Sequence, residues 1–158
     1  MPSELLVIGY GNTLRRDDGV GARVAETIEA LAIPGVRTLA CPQLTPELAD
    51  PVSQVEAVIF VDASAEGPLV HVSLRHVKPA DSSRMLTHTA DPATLLALAR
   101  DVYGRVPAAW CLTVPAEEIG FGDELSPVAR RGLKQAVKRI RDFQRRRVIL
   151  LRQRPAPA

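Results

Sequence analysis

Two carboxylate positions and one imidazole in this chain have the types that ligate a metal or move a proton. Asp17 and Asp18 stand in GYGNTLRRDDGVG (residues 9–21), Asp62 ends the apolar run AVIFVD (57–62), and His88 lies in MLTHTADP (85–92). Carboxylate and imidazole together are borderline ligands, suited to Ni, Zn, Mn or Fe. Three protein ligands also leave a coordination position open for a further group. Spacing alone leaves plainer roles open. Asp17 and Asp18 can cap a helix and complement its dipole, Asp62 can bond its own backbone in a turn, and His88 can be an ordinary loop residue. His71 reads as a solvated strand residue, and His76 ends the same strand without a signal.

The first motif has the layout of a nucleotide loop, with an apolar run, a glycine-rich turn and an amphipathic run in order. It fails the test of that chemistry. Counting from Gly9, the third glycine of a dinucleotide fingerprint falls on Leu14, and no Gly-Lys-Ser/Thr follows. A helix N-terminus attracts phosphate through its free N–H groups and dipole. Here the chain supplies its own anions, which suit a cation. Two adjacent carboxylates point in different directions, so one can cap while the other faces outward.

These residues need elements to hold them. The spacing predicts strands at 4–9, 36–41, 57–62, 69–75 and 108–114. Residues 57–62 are apolar without alternation, as in a strand covered on both faces. Residues 69–75 alternate and suit an edge strand after an antiparallel return. Helices are expected at 18–31, with Val20, Val24, Ile28 and Leu31 inward, and at 91–103, with Leu95, Leu96, Ala99 and Val102 inward. A short helix capped by Thr45 and a terminal helix from Ser126 and Pro127 complete the set. The expected fold is α/β, with three layers: a twisted, mostly parallel sheet of about five strands and helices on both faces. In such sheets ligands bind beyond the carboxyl ends of the strands. If strands 4–9 and 57–62 are parallel neighbours, Asp18 and Asp62 share one crevice, and the loop carrying His88 can return to it.

The bulk numbers agree. The 158 residues suit one domain, placed at 1–150 with a flexible tail at 151–158. Hydrophobic residues make up 46% and aromatics only 4%, so the core is built from aliphatic side chains. No apolar run approaches the ~20 residues of a membrane span. The N-terminus lacks a basic leader, and Cys41 and Cys111 read as reduced core residues, so a cytoplasmic protein is expected. Net charge is +2, but residues 1–125 hold 9 Lys/Arg against 17 Asp/Glu, and residues 126–158 hold 11 against 1. The basic part follows a helical pattern, read first as a solvated face and second as a docking surface for an acidic partner. Without interleaved aromatics, nucleic acid is not expected as a partner.

GYGNTLRRDDGVG, VIFVDAS and THTADPATLLALA, in this order, resemble the maturation proteases of nickel–iron hydrogenases. QLTPELA and GDELSP add to the likeness and point to the branch that serves the bidirectional, NAD-linked hydrogenase. The likeness spans roughly residues 4–137. It implies an endopeptidase, aspartic-type by resemblance, that removes the C-terminal extension of the hydrogenase large-subunit precursor after nickel insertion. It implies Asp18, Asp62 and His88 as the catalytic and metal-binding positions, some members having Glu where this chain has Asp18. Asp17 and Asn12 fall in the motif without being ligands. The nickel would arrive with the precursor rather than as a held cofactor, and a monomer would suffice. A non-catalytic metal-sensing or docking module is the alternative. No Ser–His–Asp, Cys–His or HExxH pattern is visible.

Overall fold

The computed structural model describes residues 4–67, 70–82 and 90–157. Five strands, β1 (Leu5–Tyr10), β2 (Val36–Cys41), β3 (Ala57–Ser64), β4 (Ser73–Val77) and β5 (Ala108–Pro115), form one sheet in the order β2-β1-β3-β5-β4. β2, β1, β3 and β5 run parallel, and β4 pairs antiparallel with β5 at the edge. The helices are α1 (Val20–Leu31), α2 (Ala49–Ser53), α3 (Pro92–Leu98) and α4 (Pro127–Arg152).

Alternate residues along a strand face opposite sides of a sheet, and the apolar core divides accordingly. Leu5, Val7, Ile59 and Val61 pack with Val24 and Ile28 of α1 and with Ala136 and Ile140 of α4. Leu6, Ile8, Val58 and Phe60 pack with Val52 of α2 and with Leu95 and Leu96 of α3. Both faces of β1 and β3 are thereby covered, which is why their sequences are apolar without alternation.

Several local expectations shift. Leu31 and Val102 are exposed rather than inward. Leu31 is the last residue of α1, and Val102 lies in a wider π-type turn, Ala99–Tyr103, whose changed pitch rotates it away from the core. Thr45 precedes a short 3-10 turn (Pro46–Leu48) but makes no side-chain cap bond. The edge strand begins at Ser73, so His71 precedes it, and residue 69 of the expected strand lies outside the described residues. Asp91 and Ser126 do cap α3 and α4, accepting from Thr94 N–H at 2.7 Å and Ala129 N–H at 3.2 Å. α4 continues two residues past the expected tail boundary, to Arg152.

Candidate functional site

β1 leads to β2 on one side, and the chain then crosses back to place β3 on the other side of β1. The order therefore reverses at the β1/β3 gap, the switch point where open α/β sheets hold their ligands. Gly9 pairs with Val61 in the parallel register, so Tyr10, the last residue of β1, stands beside Asp62, two residues before the end of β3, which runs on past the expected Asp62.

The glycines of the first motif serve close packing. A Cβ on Gly9 would lie 1.9 Å from the Gly21 carbonyl oxygen, and one on Gly21 would lie 2.3 Å from the Val61 oxygen and 2.7 Å from the Tyr10 oxygen. Helix α1 therefore lies directly against the strand backbones, which a side chain at either position would prevent. Gly11, at φ +138°, turns the chain out of β1 into the loop. The loop ends in a 3-10 turn, Arg16–Gly19, which carries both aspartates.

The two adjacent carboxylates have separate surroundings. Asp17 is fully buried. Its Oδ2 accepts from the N–H groups of Glu117 and Glu118 (2.9 Å each) and from Ser126 Oγ (2.6 Å), while Oδ1 accepts from Ser126 N–H (2.8 Å). Burial alone would raise its pKa, but the bonds from Glu118, Ser126 and Glu117 outweigh it and hold the carboxyl below its ordinary value. Asp17 thus pins the loop at 116–126 to the first motif and orients the cap of α4. Its partners lie about a hundred positions away in the chain. Asp18 is half-buried, and its Oδ2 accepts only the Asn12 N–H (2.9 Å) among the described hydrogen bonds.

Asp62 is half-buried near the carboxyl end of β3. Burial raises its pKa; bonds from the Tyr10 hydroxyl and the Ala63 N–H oppose this, and the charge of Asp18 adds to it. Asp18 and Asp62 are therefore close enough to sense each other. The same burial, with Asp62 beside it, pushes the Tyr10 phenol far up, so it stays a hydrogen-bond donor. Burial is the main cause of the raised Asp62 pKa and the Asp18 charge the lesser one, so a positive charge brought to this crevice would favour the ionised form of Asp62. Alongside runs a groove of about 300 Å3, lined by Gly11, Asn12, Thr13, Leu14, Cys41 and Pro42 among others.

The structure thus brings together Asp18 and Asp62 and assigns Asp17 to the scaffold. His88 lies outside the described residues, and among the described residues no group of three His, Cys, Asp or Glu side chains gathers into a metal site. Burial pushes the thiols of Cys41 and Cys111 up, which keeps them protonated and poor as nucleophiles. His76 packs against Trp110 with tilted rings (centroids 4.6 Å apart, planes at 49°), away from the crevice on the β4–β5 edge. Sequence reasoning missed Tyr10. Its only signal was its position, next to the glycine at the end of a buried strand.

No family model matches the chain, and no curated protein does. Solved structures do. Hydrogenase maturating endopeptidase HybD from E. coli superposes with a TM-score of 0.68 at 21% identity, over 90% of this chain and 93% of that one. Hydrogenase 2 maturation peptidase from a Thaumarchaeota archaeon gives 0.66 at 23% identity, over 90% and 98%. The [NiFe] hydrogenase maturation protease HybD from Thermococcus kodakarensis gives 0.68 at 20% identity, over 89% and 98%. This chain has the fold of solved hydrogenase maturation endopeptidases.

Proposed function

We propose that the protein is an endopeptidase that removes the C-terminal extension of a nickel–iron hydrogenase large-subunit precursor once nickel has been inserted. The observation that carries this reading is the pairing of Asp18 with Asp62 at the switch point while Asp17 is consumed by the scaffold. The site keeps two neighbouring carboxylates for an incoming cation, and burial leaves the thiols of Cys41 and Cys111 unactivated. The shared fold supports the same activity.

In this reading the nickel is part of the substrate. Asp18, Asp62 and His88 complete its coordination, and this places the scissile peptide bond at the crevice. Burial raises the Asp62 pKa, and recognition of a cation strengthens as pH rises through it. The Tyr10 hydroxyl beside Asp62 favours its ionised form. Hydrolysis then follows from polarisation of the carbonyl or of a water by the substrate's metal. The aspartic-type alternative uses one of the carboxylates as general base toward that water. The motifs QLTPELA and GDELSP favour a large subunit of the bidirectional, NAD-linked hydrogenase as partner, and the chain works in the cytoplasm as a monomer. No helix among the described residues is long and apolar enough to cross a membrane.

The test is intact-mass spectrometry of the large-subunit precursor, with and without nickel, mixed with the wild-type protein or with Asp18→Ala. A nickel-dependent loss of a C-terminal peptide is expected with the wild type and not with the variant. Nickel-loaded precursor that binds but stays uncut would sink the protease reading in favour of a metal-sensing module.

A further inference from the structure

The loop at 116–126 is held unusually firmly for a surface loop. Asp17 takes four hydrogen bonds from it. Arg16 forms an ion pair with Glu118 and bonds the Glu124 carbonyl (3.2 Å), and Arg23 bonds the Asp123 carbonyl (2.8 Å). Backbone bonds add to this: Gly122 N–H donates to Leu14 O (2.8 Å), Arg16 N–H to Gly122 O (2.9 Å) and Asp17 N–H to Glu118 O (2.9 Å). The loop and the first motif therefore form one small rigid unit.

That unit directs apolar side chains into water. Phe121 is 91% exposed, Leu14 58% and Ile119 44%. Residue 14 lies beside residue 122 through the Leu14–Gly122 bond, so the three occupy adjoining loops on one rim. A loop this well anchored gains nothing internally from an exposed phenylalanine. Rigid, clustered aromatic and aliphatic side chains at a site are what a partner buries. The rim also has a sign. Glu117, Asp123 and Glu124 are exposed and have no ion-pair partner among the described residues, against the single exposed cation Arg15. The occupant must be apolar with basic neighbours.

We infer that the rim formed by Leu14, Ile119 and Phe121 is the grip for the substrate polypeptide beside its cleavage point, and that it selects a segment with an apolar residue flanked by Lys or Arg. This deepens the endopeptidase reading and rests on it. The rim continues directly from the loop that carries Asp18, whose N–H donates to Arg15 O (3.1 Å). Phe121 precedes Gly122, whose N–H and carbonyl bond Leu14 and Arg16 of the loop that carries Asp18. The rim contributes binding and no chemistry, so its loss acts on KM and leaves kcat.

The experiment measures cleavage kinetics and, by interferometry, the Kd of the nickel-loaded precursor for wild type, Phe121→Ser, Phe121→Trp and the pair Asp123→Lys/Glu124→Lys. Phe121 is exposed, so an unchanged melting temperature shows that each variant folds. Phe121→Ser is expected to raise KM and Kd about tenfold with kcat within about twofold, Phe121→Trp to restore both, and the charge-reversed pair to raise KM. KM and Kd within about twofold of wild type for Phe121→Ser overturn the inference while cleavage itself sustains the protease reading. If wild type binds without cleaving, the protease reading falls and the Kd comparison alone decides the rim. If wild type does not bind, both fall.

Discussion

Asp17 and Asp62 show how surroundings set opposite signs for the same side chain. The Asp17 carboxyl is held below its ordinary value, so its contribution to stability is present above the unfolded pKa of ~3.9 and is lost as pH falls through the folded one. Asp62 is raised, so its neutral form suits the fold, and stability declines as pH rises through its folded pKa. Thermal melts across pH should therefore separate the two. Asp17→Asn should cost on the order of 3 kcal/mol at pH 7, with the loss shrinking below pH ~4. Asp62→Asn should melt higher than wild type at pH 7 and match it near pH 3. Tyr10 refines the picture. Its hydroxyl lowers the Asp62 pKa, so Tyr10→Phe should move the acidic limb of the cleavage rate to higher pH, as read from a pH–rate profile.

At the scale of elements, the contact between α1 and the β1/β3 strands sets the site. Gly21 lies in α1, where alanine would otherwise favour the helix by ~1 kcal/mol. Its Cβ would nevertheless meet the carbonyl oxygens of Val61 and Tyr10, the residues that precede or hold the site carboxylate. Gly21→Ala should force the helix outward at a net cost of about 2–3 kcal/mol, a melting-temperature drop of roughly 5–10 °C. Calorimetry reads the loss, and the same displacement should lower nickel-dependent cleavage. A melting temperature equal to wild type would refute the close packing.

Across the whole molecule, charge and topology separate two ends. α4 starts beside Asp17 and runs back along the sheet, and Gln144 bonds the Pro34 carbonyl (3.2 Å) just before β2. At 1.5 Å per residue, Arg145 lies roughly 28 Å along the helix from Ser126. Half of the chain's 20 Lys and Arg residues are in this terminal helix, and its far half lies at the amino ends of the strands, opposite the crevice. Arg145→Gln/Arg146→Gln should therefore leave the cleavage rate within about twofold of wild type, since charges beyond a Debye length of ~8 Å are screened at physiological salt. A collapse of cleavage with intact folding would revive the docking role of the basic helix.

Much of this was legible in the sequence, because the signals were local. Apolar runs without alternation mark β1 and β3, Asp91-Pro92 and Ser126-Pro127 mark two helix starts, and an acidic loop after β1 excludes a phosphate. The sequence also placed carboxylates at the ends of two strands. It did not say which member of Asp17–Asp18 faces the crevice, since two adjacent residues share one local pattern. Donors from residues 117, 118 and 126 decided that by surrounding Asp17. Nor did it show Tyr10 bonding Asp62, or Phe121 beside Leu14. Those pairings depend on strand order and on loops meeting across a hundred residues, which only the packed fold brings within hydrogen-bond range.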